Sequence, residues 1–320
     1  MLPGKKTHPE IKSRLHPRSK HRNRYEFDKL IKSCPELASF VSINAYGDES
    51  IDFFDPEAVK TLNKALLLHY YGLSSWDIPT GYLCPPVPGR ADYIHTLADL
   101  LADKHGHQVP SGSKIKGLDI GTGANCIYPI IGVSEYGWSF TASDIDPVAI
   151  KSARCIVDQN QVLQNKVELR LQPDPKNTFI GIIRPGEFYD FTICNPPFHT
   201  SAAEARAGTL RKLSNLKEKP IKDPVLNFGG RNNELWCPGG EERFVTAMIR
   251  ESREFAGSCY WFSTLISKES NLRSTYKTLA AMKAAEVRTL TLGQGNKTSR
   301  IVAWTYLDAA GQQTWIKNRW

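Results

Sequence analysis

Residues 188–199 read FYDFTICNPPFH. The β-branched and aromatic run from Phe188 to Cys194 reads as a buried strand. It delivers Asn195, Pro196, Pro197 and Phe198 to one place. Neither proline can continue a hydrogen-bonded ladder, and each pushes the residue before it into extended backbone. The corner is therefore stiff, with an amide at one end and an aromatic ring at the other. Such a corner orients a flat polar group. A strand-ending turn with a core phenylalanine is the alternative that these four residues leave open.

A second constellation lies upstream. IKGLDI (115–120) runs straight into Gly121-Thr122-Gly123-Ala124-Asn125, where glycines let backbone approach a ligand and turn tightly into a helix. Asp144 ends the next strand, 21 residues after Gly123, where an acid accepts hydrogen bonds from two ribose hydroxyls. Asp146-Pro147 then caps the following helix. The third glycine of a dinucleotide fingerprint is absent, with Cys126 in its place. A dinucleotide would set its pyrophosphate at the helix N-terminus, and Asp119, just before the turn, would repel it. Asp119 suits instead a nucleoside that carries an ammonium group and no phosphate. S-adenosylmethionine fits, with its ribose on Asp144 and its amino acid moiety near Asp119 and the glycines.

A sulfonium methyl donor needs an in-line nucleophile, which gives the Asn195 corner a task. A conjugated amine such as adenine N6 is a poor nucleophile because its lone pair is delocalised. The Asn195 side-chain carbonyl and the Pro196 backbone carbonyl can each accept one N–H, drawing the nitrogen toward tetrahedral geometry. Phe198 would stack on the base. The gain comes from positioning and charge stabilisation, with no general base.

These residues need a scaffold, and the sequence supplies one. Tyr25 to Tyr71 reads as helical, with Asp55-Pro56 as N-cap and first turn, and Gly72 as a stop. LCPPVPGR (83–90) is a rigid connector, followed by a helix from Ala91 to His105. From Lys114 onward strands alternate with helices: 115–120, 139–143, 166–171, 188–194, 259–266, 287–292 and 300–307 are the seven candidates. The pattern predicts a largely parallel sheet with helices on both faces, closed by an antiparallel hairpin of the last two strands. The Asn195 strand should lie beside the glycine-turn strand, at the ligand crevice.

The chain has 320 residues, 41% hydrophobic and 23% charged, the composition of a globular protein. It shows no apolar run long enough for a membrane span and no secretory h-region. Seven scattered cysteines without a CxxC pair argue against a disulfide framework and a zinc knuckle. A cytoplasmic, metal-free monomer is the expectation. Of the net charge of +8, residues 1–24 carry +7: Lys5, Lys6, Lys12, Arg14, Arg18, Lys20, Arg22 and Arg24 against Glu10. The concentration reads as a nucleic-acid contact, with a solubility tail as the alternative. A second basic stretch between His199 and Arg231 includes Arg206, Arg211 and Lys212 and reads as an RNA-facing loop. Trp236, Trp261 and Trp304 are candidates for base stacking or for the core, and Lys297 and Arg300 for phosphate contacts.

The segments DIGTGANCIYP and CNPPF, with PPVPGRADYIH upstream and GGEERFV downstream, resemble the large-subunit ribosomal RNA N6-adenine methyltransferase family. The resemblance runs from about His8 to Tyr306. NPPF alone is shared with enzymes that methylate guanine N2 or protein glutamine, so the flanking segments carry the likeness. It implies a seven-stranded Rossmann-like class I methyltransferase sheet (111–320), a helical extension (25–110) and a basic RNA-binding arm (1–24). It implies further that Gly121, Asn125, Asp144 and Asn195 contact the cofactor and that Arg90 reaches the cofactor's carboxylate; the reading of the residues themselves adds Gly123 and Asp119. The resemblance assigns no residue of Gln172 to Thr178 to the cofactor's adenine, because PDPKNT aligns poorly. The expected reaction is methyl transfer to N6 of one adenosine in large-subunit ribosomal RNA. Protein glutamine methylation and a non-catalytic RNA-binding role are the rivals; the first leaves the basic arm without a use.

Overall fold

A computed structural model describes residues 11–44, 46–201, 203–204, 232–294 and 297–320 of the chain. Its N-terminal third is less helical than the sequence pattern predicts. Between Tyr25 and Tyr71 lie helix α1 (Phe27–Ser33), a 3-10 turn (Pro35–Phe40), the antiparallel pair β1 (Val41–Ile43) and β2 (Glu49–Ile51), and helix α2 (Pro56–Tyr71). The Asn44 side chain accepts the amides of Tyr46 and Asp48, a local turn that reverses the chain between the two short strands. α2 has the predicted ends: Asp55 accepts the Glu57 amide at 2.9 Å, and Gly72 stops the helix at φ 70°. α3 (Val87–Ala102) starts inside the proline-rich segment and ends before His105. Proline is tolerated in a first helical turn, where its missing N–H has no partner to lose, so Arg90 belongs to that turn.

The sheet follows: β3 (Lys116–Ile120), α4 (Ile127–Tyr136), β4 (Ser139–Asp144), α5 (Pro147–Gln159), β5 (Val167–Leu171) and β6 (Tyr189–Cys194). After α6 (Asn232–Leu235) and α7 (Gly240–Ser252) come β7 (Cys259–Ile266), α8 (Leu272–Ala281), β8 (Glu286–Gln294), β9 (Lys297–Thr305) and α9 (Ala309–Arg319). The seven strands stand in the order β5-β4-β3-β6-β7-β9-β8. β3 to β7 pair in parallel, and β9 runs antiparallel to both its neighbours. β6 and β7 are buried along their whole length, as their unbroken apolar runs require. Gly117 permits this packing, because a Cβ there would meet the rings of Phe140 and Phe191 at 2.6 Å. The chain winds outward from β3 to β5, then returns to lay β6 on the other side of β3. That reversal opens a crevice at the carboxyl ends of β3 and β6.

One hydrophobic cluster runs from Phe27 in α1 through α2, α3 and α4 to Trp315 in α9. The helices of 25–110 and the sheet therefore share a core. Residues 11–24 join the same body, which corrects the expectation of a free basic arm for that stretch. Leu15 and His21 are buried. Arg18 pairs with Asp99 at 2.7 Å, Lys20 with Glu135 at 3.0 Å and Arg24 with Asp48 at 2.6 Å. His16 stacks on His95 and bonds Asp99 at 2.9 Å. Lys12 donates to the His21 carbonyl, and Arg14 lies against Gly293 of β8. Burial drives the imidazoles of His21 and His95 down to about 3, so both are neutral anchors. Lys5 and Lys6 lie outside the described residues. All seven cysteines are free. Among the described residues no helix is long and apolar enough to cross a membrane, and no cluster of side chains suits a metal ion.

Candidate active site

The crevice deepens into a cavity of about 360 Å³. Arg90, Gly121, Gly123, Asn125, Asp144, Asn195, Pro196 and Pro197 all line it. They converge on it from the ends of several elements. Gly121 and Gly123 make the turn at φ 75° and 63°, backbone that side-chain-bearing residues rarely adopt. The turn is tied down from two sides. The Gly121 and Thr122 amides donate to the Ser143 carbonyl, each at 2.9 Å, and the Gly123 amide donates to Asp144 Oδ2 at 2.9 Å. Asp144 Oδ1 accepts the Asp146 amide at 2.9 Å, so two backbone amides aim this carboxylate. Burial pushes Asp144 upward, against those two bonds.

A roof of residues 74–86 covers the turn. Trp76 Nε1 donates to the Asn125 carbonyl at 3.0 Å, and Asn125 Nδ2 donates to the Leu83 carbonyl at 3.3 Å. Tyr82 donates its hydroxyl to Asp146 at 2.6 Å, and Asn63 donates to the Pro85 carbonyl at 2.8 Å. Asn125 is thus the joint between roof and turn, its Oδ1 accepting the Ile127 amide at 3.1 Å. Arg90 stands over the ring of Tyr128, 5.7 Å from its centroid.

Several buried polar atoms here have no hydrogen-bond partner among the described residues: both carboxylate oxygens of Asp119, the Thr122 and Tyr128 hydroxyls, Trp236 Nε1 and Asn195 Oδ1. Asp119 is fully buried and, unlike the other expected cofactor contacts, does not line the cavity; it directly precedes the lining residues Ile120 to Gly123. Burial raises its carboxyl to about 7, with Asp144 adding to the rise and the Thr122 hydroxyl and Arg90 opposing it. An orphaned buried acceptor is costly unless a ligand supplies the missing donor.

The far wall is the segment after β5. Gln172, Pro175, Asn177 and Thr178 line the cavity, which locates the stretch that aligned poorly. It is held from α7, where Glu251 accepts the amides of Thr178, Phe179 and Ile180 at 2.8, 2.7 and 2.7 Å. Phe198 is placed differently from its expectation: it packs half-buried on the main core and does not line the cavity. Trp236 lines it instead, brought there by pairing with His199, while Trp261 and Trp304 are core residues. Of the three tryptophans offered for stacking, only Trp236 reaches the cavity, and Glu234 is the lining residue that the sequence reading passed over; its only signal was its nearness to GGEERFV. Arg206, Arg211 and Lys212 lie outside the described residues, as does the side chain of Lys297. Arg300 is engaged by Glu269 at 2.8 Å.

This strand order, with a glycine turn and an aimed acid at its reversal point, defines a class I methyltransferase. The sequence signature of an RNA methyltransferase family matches residues 9–308, and the chain belongs to that family. It is 59% identical over 317 residues, covering 99% of this chain and 98% of the relative, to "Ribosomal RNA large subunit methyltransferase F" of Cytophaga hutchinsonii. It is 56% identical to the protein of that name from Serratia proteamaculans, covering 99% and 94%. Among solved structures it resembles the human Mettl16 catalytic domain in complex with an MAT2A 3'UTR hairpin, with TM-score 0.75, 31% identity and coverage of 92% and 98%. It also resembles the N-terminal domain of human METTL16 in complex with SAH, with TM-score 0.71, 29% identity and coverage of 92% and 99%.

Proposed function

We propose that this chain transfers a methyl group from S-adenosylmethionine to the N6 amine of an adenosine in large-subunit ribosomal RNA. The single observation that carries the reading is the buried, unpartnered Oδ1 of Asn195, held by two prolines at the crevice beside the glycine turn. An acceptor so placed calls for an N–H donor from outside the chain.

The residues fit the cofactor. Asp119 offers an orphaned carboxylate to an ammonium group, Asp144 offers an aimed carboxylate to ribose hydroxyls, and Arg90 offers a cation to a carboxylate. Gly121, Gly123 and Asn125 leave the backbone open between them. S-adenosylmethionine supplies an electrophilic methyl group on a sulfonium. The chain's own part is to position the amine: Asn195 Oδ1 and the Pro196 carbonyl each accept one N–H and stabilise the charge that grows on nitrogen. Trp236 offers the flat apolar face for the base. The target adenine must leave its stack to enter such a cavity. In the same reading Lys5, Lys6, Arg206, Arg211 and Lys212 supply phosphate contacts, whereas Arg18, Lys20 and Arg24 serve the fold.

The test uses the full chain, methyl-labelled S-adenosylmethionine and unmodified large-subunit ribosomal RNA, with nucleosides mapped by mass spectrometry. Label in N6-methyladenosine at one site is expected. Label in another nucleoside, in protein glutamine, or in nothing overturns the reading.

A further inference from the structure

The geometry points to Glu234 as the residue that selects the positively charged cofactor over its neutral thioether product. This inference rests on the cofactor reading above. Glu234 lies in α6, where the chain comes back to the cavity beyond the Asn195 corner, and it lines that cavity. Its Oε2 accepts the Leu83 amide at 3.1 Å, and Leu83 in turn accepts from Asn125. The carboxylate is thereby fixed to the roof. Its Oε1 lies 3.4 Å from the point where a Cβ on Gly123 would stand. It hangs over the glycine turn, whose Gly123 amide is held by the Asp144 carboxylate.

The charge of the lining follows. Among the described residues the cavity wall carries one cation, Arg90, against the three carboxylates of Asp144, Asp146 and Glu234. S-adenosylmethionine brings an ammonium, a carboxylate and a sulfonium, for a net charge of about +1. Arg90 answers the carboxylate, and the two cationic groups are left to the carboxylates around the turn; of these two, only the sulfonium is lost in the product. Methyl transfer forms the N–C bond and breaks the S–C bond. The sulfur keeps the electron pair and becomes a neutral thioether, and one proton leaves nitrogen for solvent. The carboxylate wall therefore attracts the reactant and is indifferent to the sulfur of the product. Asp144 and Asp146 are each turned toward the backbone at the end of β4, where they accept local amides. Glu234 reaches the glycine turn from a separate element, held by the Leu83 amide, and that placement suits it to the task. At separations of several ångströms in a partly solvated cleft, one such charge is worth on the order of tenfold in affinity.

Glu234→Gln in the full chain separates charge from architecture, because the amide carbonyl can still accept the Leu83 N–H. Calorimetry with S-adenosylmethionine, S-adenosylhomocysteine and sinefungin, whose amine stands where the sulfonium does, gives the readout. The variant is expected to lose about tenfold for the two charged ligands and to bind S-adenosylhomocysteine within about twofold of the original. The gap between charged and neutral ligands should also narrow with salt in the original chain and less in the variant. Equal losses for all three ligands would make Glu234 a roof anchor only and overturn the inference, as would no loss for any. An original chain that binds none of the three would instead overturn the cofactor reading itself.

Discussion

The Gly123 amide and the Asp144 carboxylate meet at 2.9 Å, joining the turn after β3 to the end of β4. With the Asp146 amide on its other oxygen, Asp144 is fully oriented before any ligand arrives, and each oxygen keeps capacity for a further hydrogen bond. Asp144→Ala should therefore cost S-adenosylmethionine about 2 kcal/mol, roughly thirtyfold in affinity. It should also loosen the glycine turn. Calorimetry at constant salt measures the first effect; unchanged affinity would remove Asp144 from the ribose role.

On the proposed reading Asp119 should give cofactor binding a pH dependence. Its carboxyl, raised to about 7 by burial, is largely protonated in the free chain below that pH. An ammonium group nearby favours the ionised form, so binding below pH 7 should release a proton. Affinity should climb as pH rises toward 7 and level off above it, until the ligand's own amine deprotonates near pH 8. Asp119→Asn should flatten the climb. Heats measured in two buffers of different ionisation enthalpy count the proton directly.

On the proposed reading Asn195 acts on one amine, so Asn195→Ala should reduce single-turnover methyl transfer by about a hundredfold while RNA affinity stays within a few-fold. A rate preserved within a few-fold would sink the amine-orienting mechanism. The two aromatic neighbours should behave differently from each other. Trp236→Ala should weaken the reaction through lost stacking, worth about 1–3 kcal/mol. Phe198→Ala, made where the ring packs against the main core, should lower the melting temperature. The pair is read by rate and by thermal melt on the same proteins.

Residues 11–24 are part of the body, and the consequence is measurable. Leu15→Ala should cost about 3 kcal/mol of stability, and removing residues 1–24 should lower the melting temperature sharply. Removing residues 1–10, which hold Lys5 and Lys6, should flatten the salt dependence of RNA binding. The log–log slope should fall by about 0.7 for each phosphate that the shortened chain no longer neutralises. A truncated 25–320 chain with an unchanged melt would restore the picture of a free arm.

The histidines that dock this segment set its pH behaviour. His21 and His95 are held near 3, below the usual unfolded value of about 6.5. The sign follows from linkage: their stabilising contribution is complete above pH 6.5 and declines as pH falls toward 3, because the unfolded chain takes up protons that the folded chain refuses. NMR should show neither imidazole titrating between pH 8 and 5 in the folded protein. A mid-point near 6.5 for either would mean that the segment is undocked.

What the sequence determined by itself was short-range. Seven strands could be placed from β-branched and aromatic runs, because a strand buried on both faces must be apolar throughout. The caps at Asp55 and Asp146, the glycine turn and the Asn195 corner were legible because each is a local conformational demand met by adjacent residues. Their order along the chain also fixed the crevice, since a doubly wound sheet admits ligand only where its winding reverses. Tertiary structure alone decided what lies far apart in sequence. It turned Arg18, Lys20 and Arg24 from RNA candidates into partners of Asp99, Glu135 and Asp48. It set Phe198 against the core and Trp236 into the cavity, and it brought Glu234 over Gly123. A side chain's type states what it can bond; its partner depends on which surfaces the fold presses together, and no local pattern carries that information.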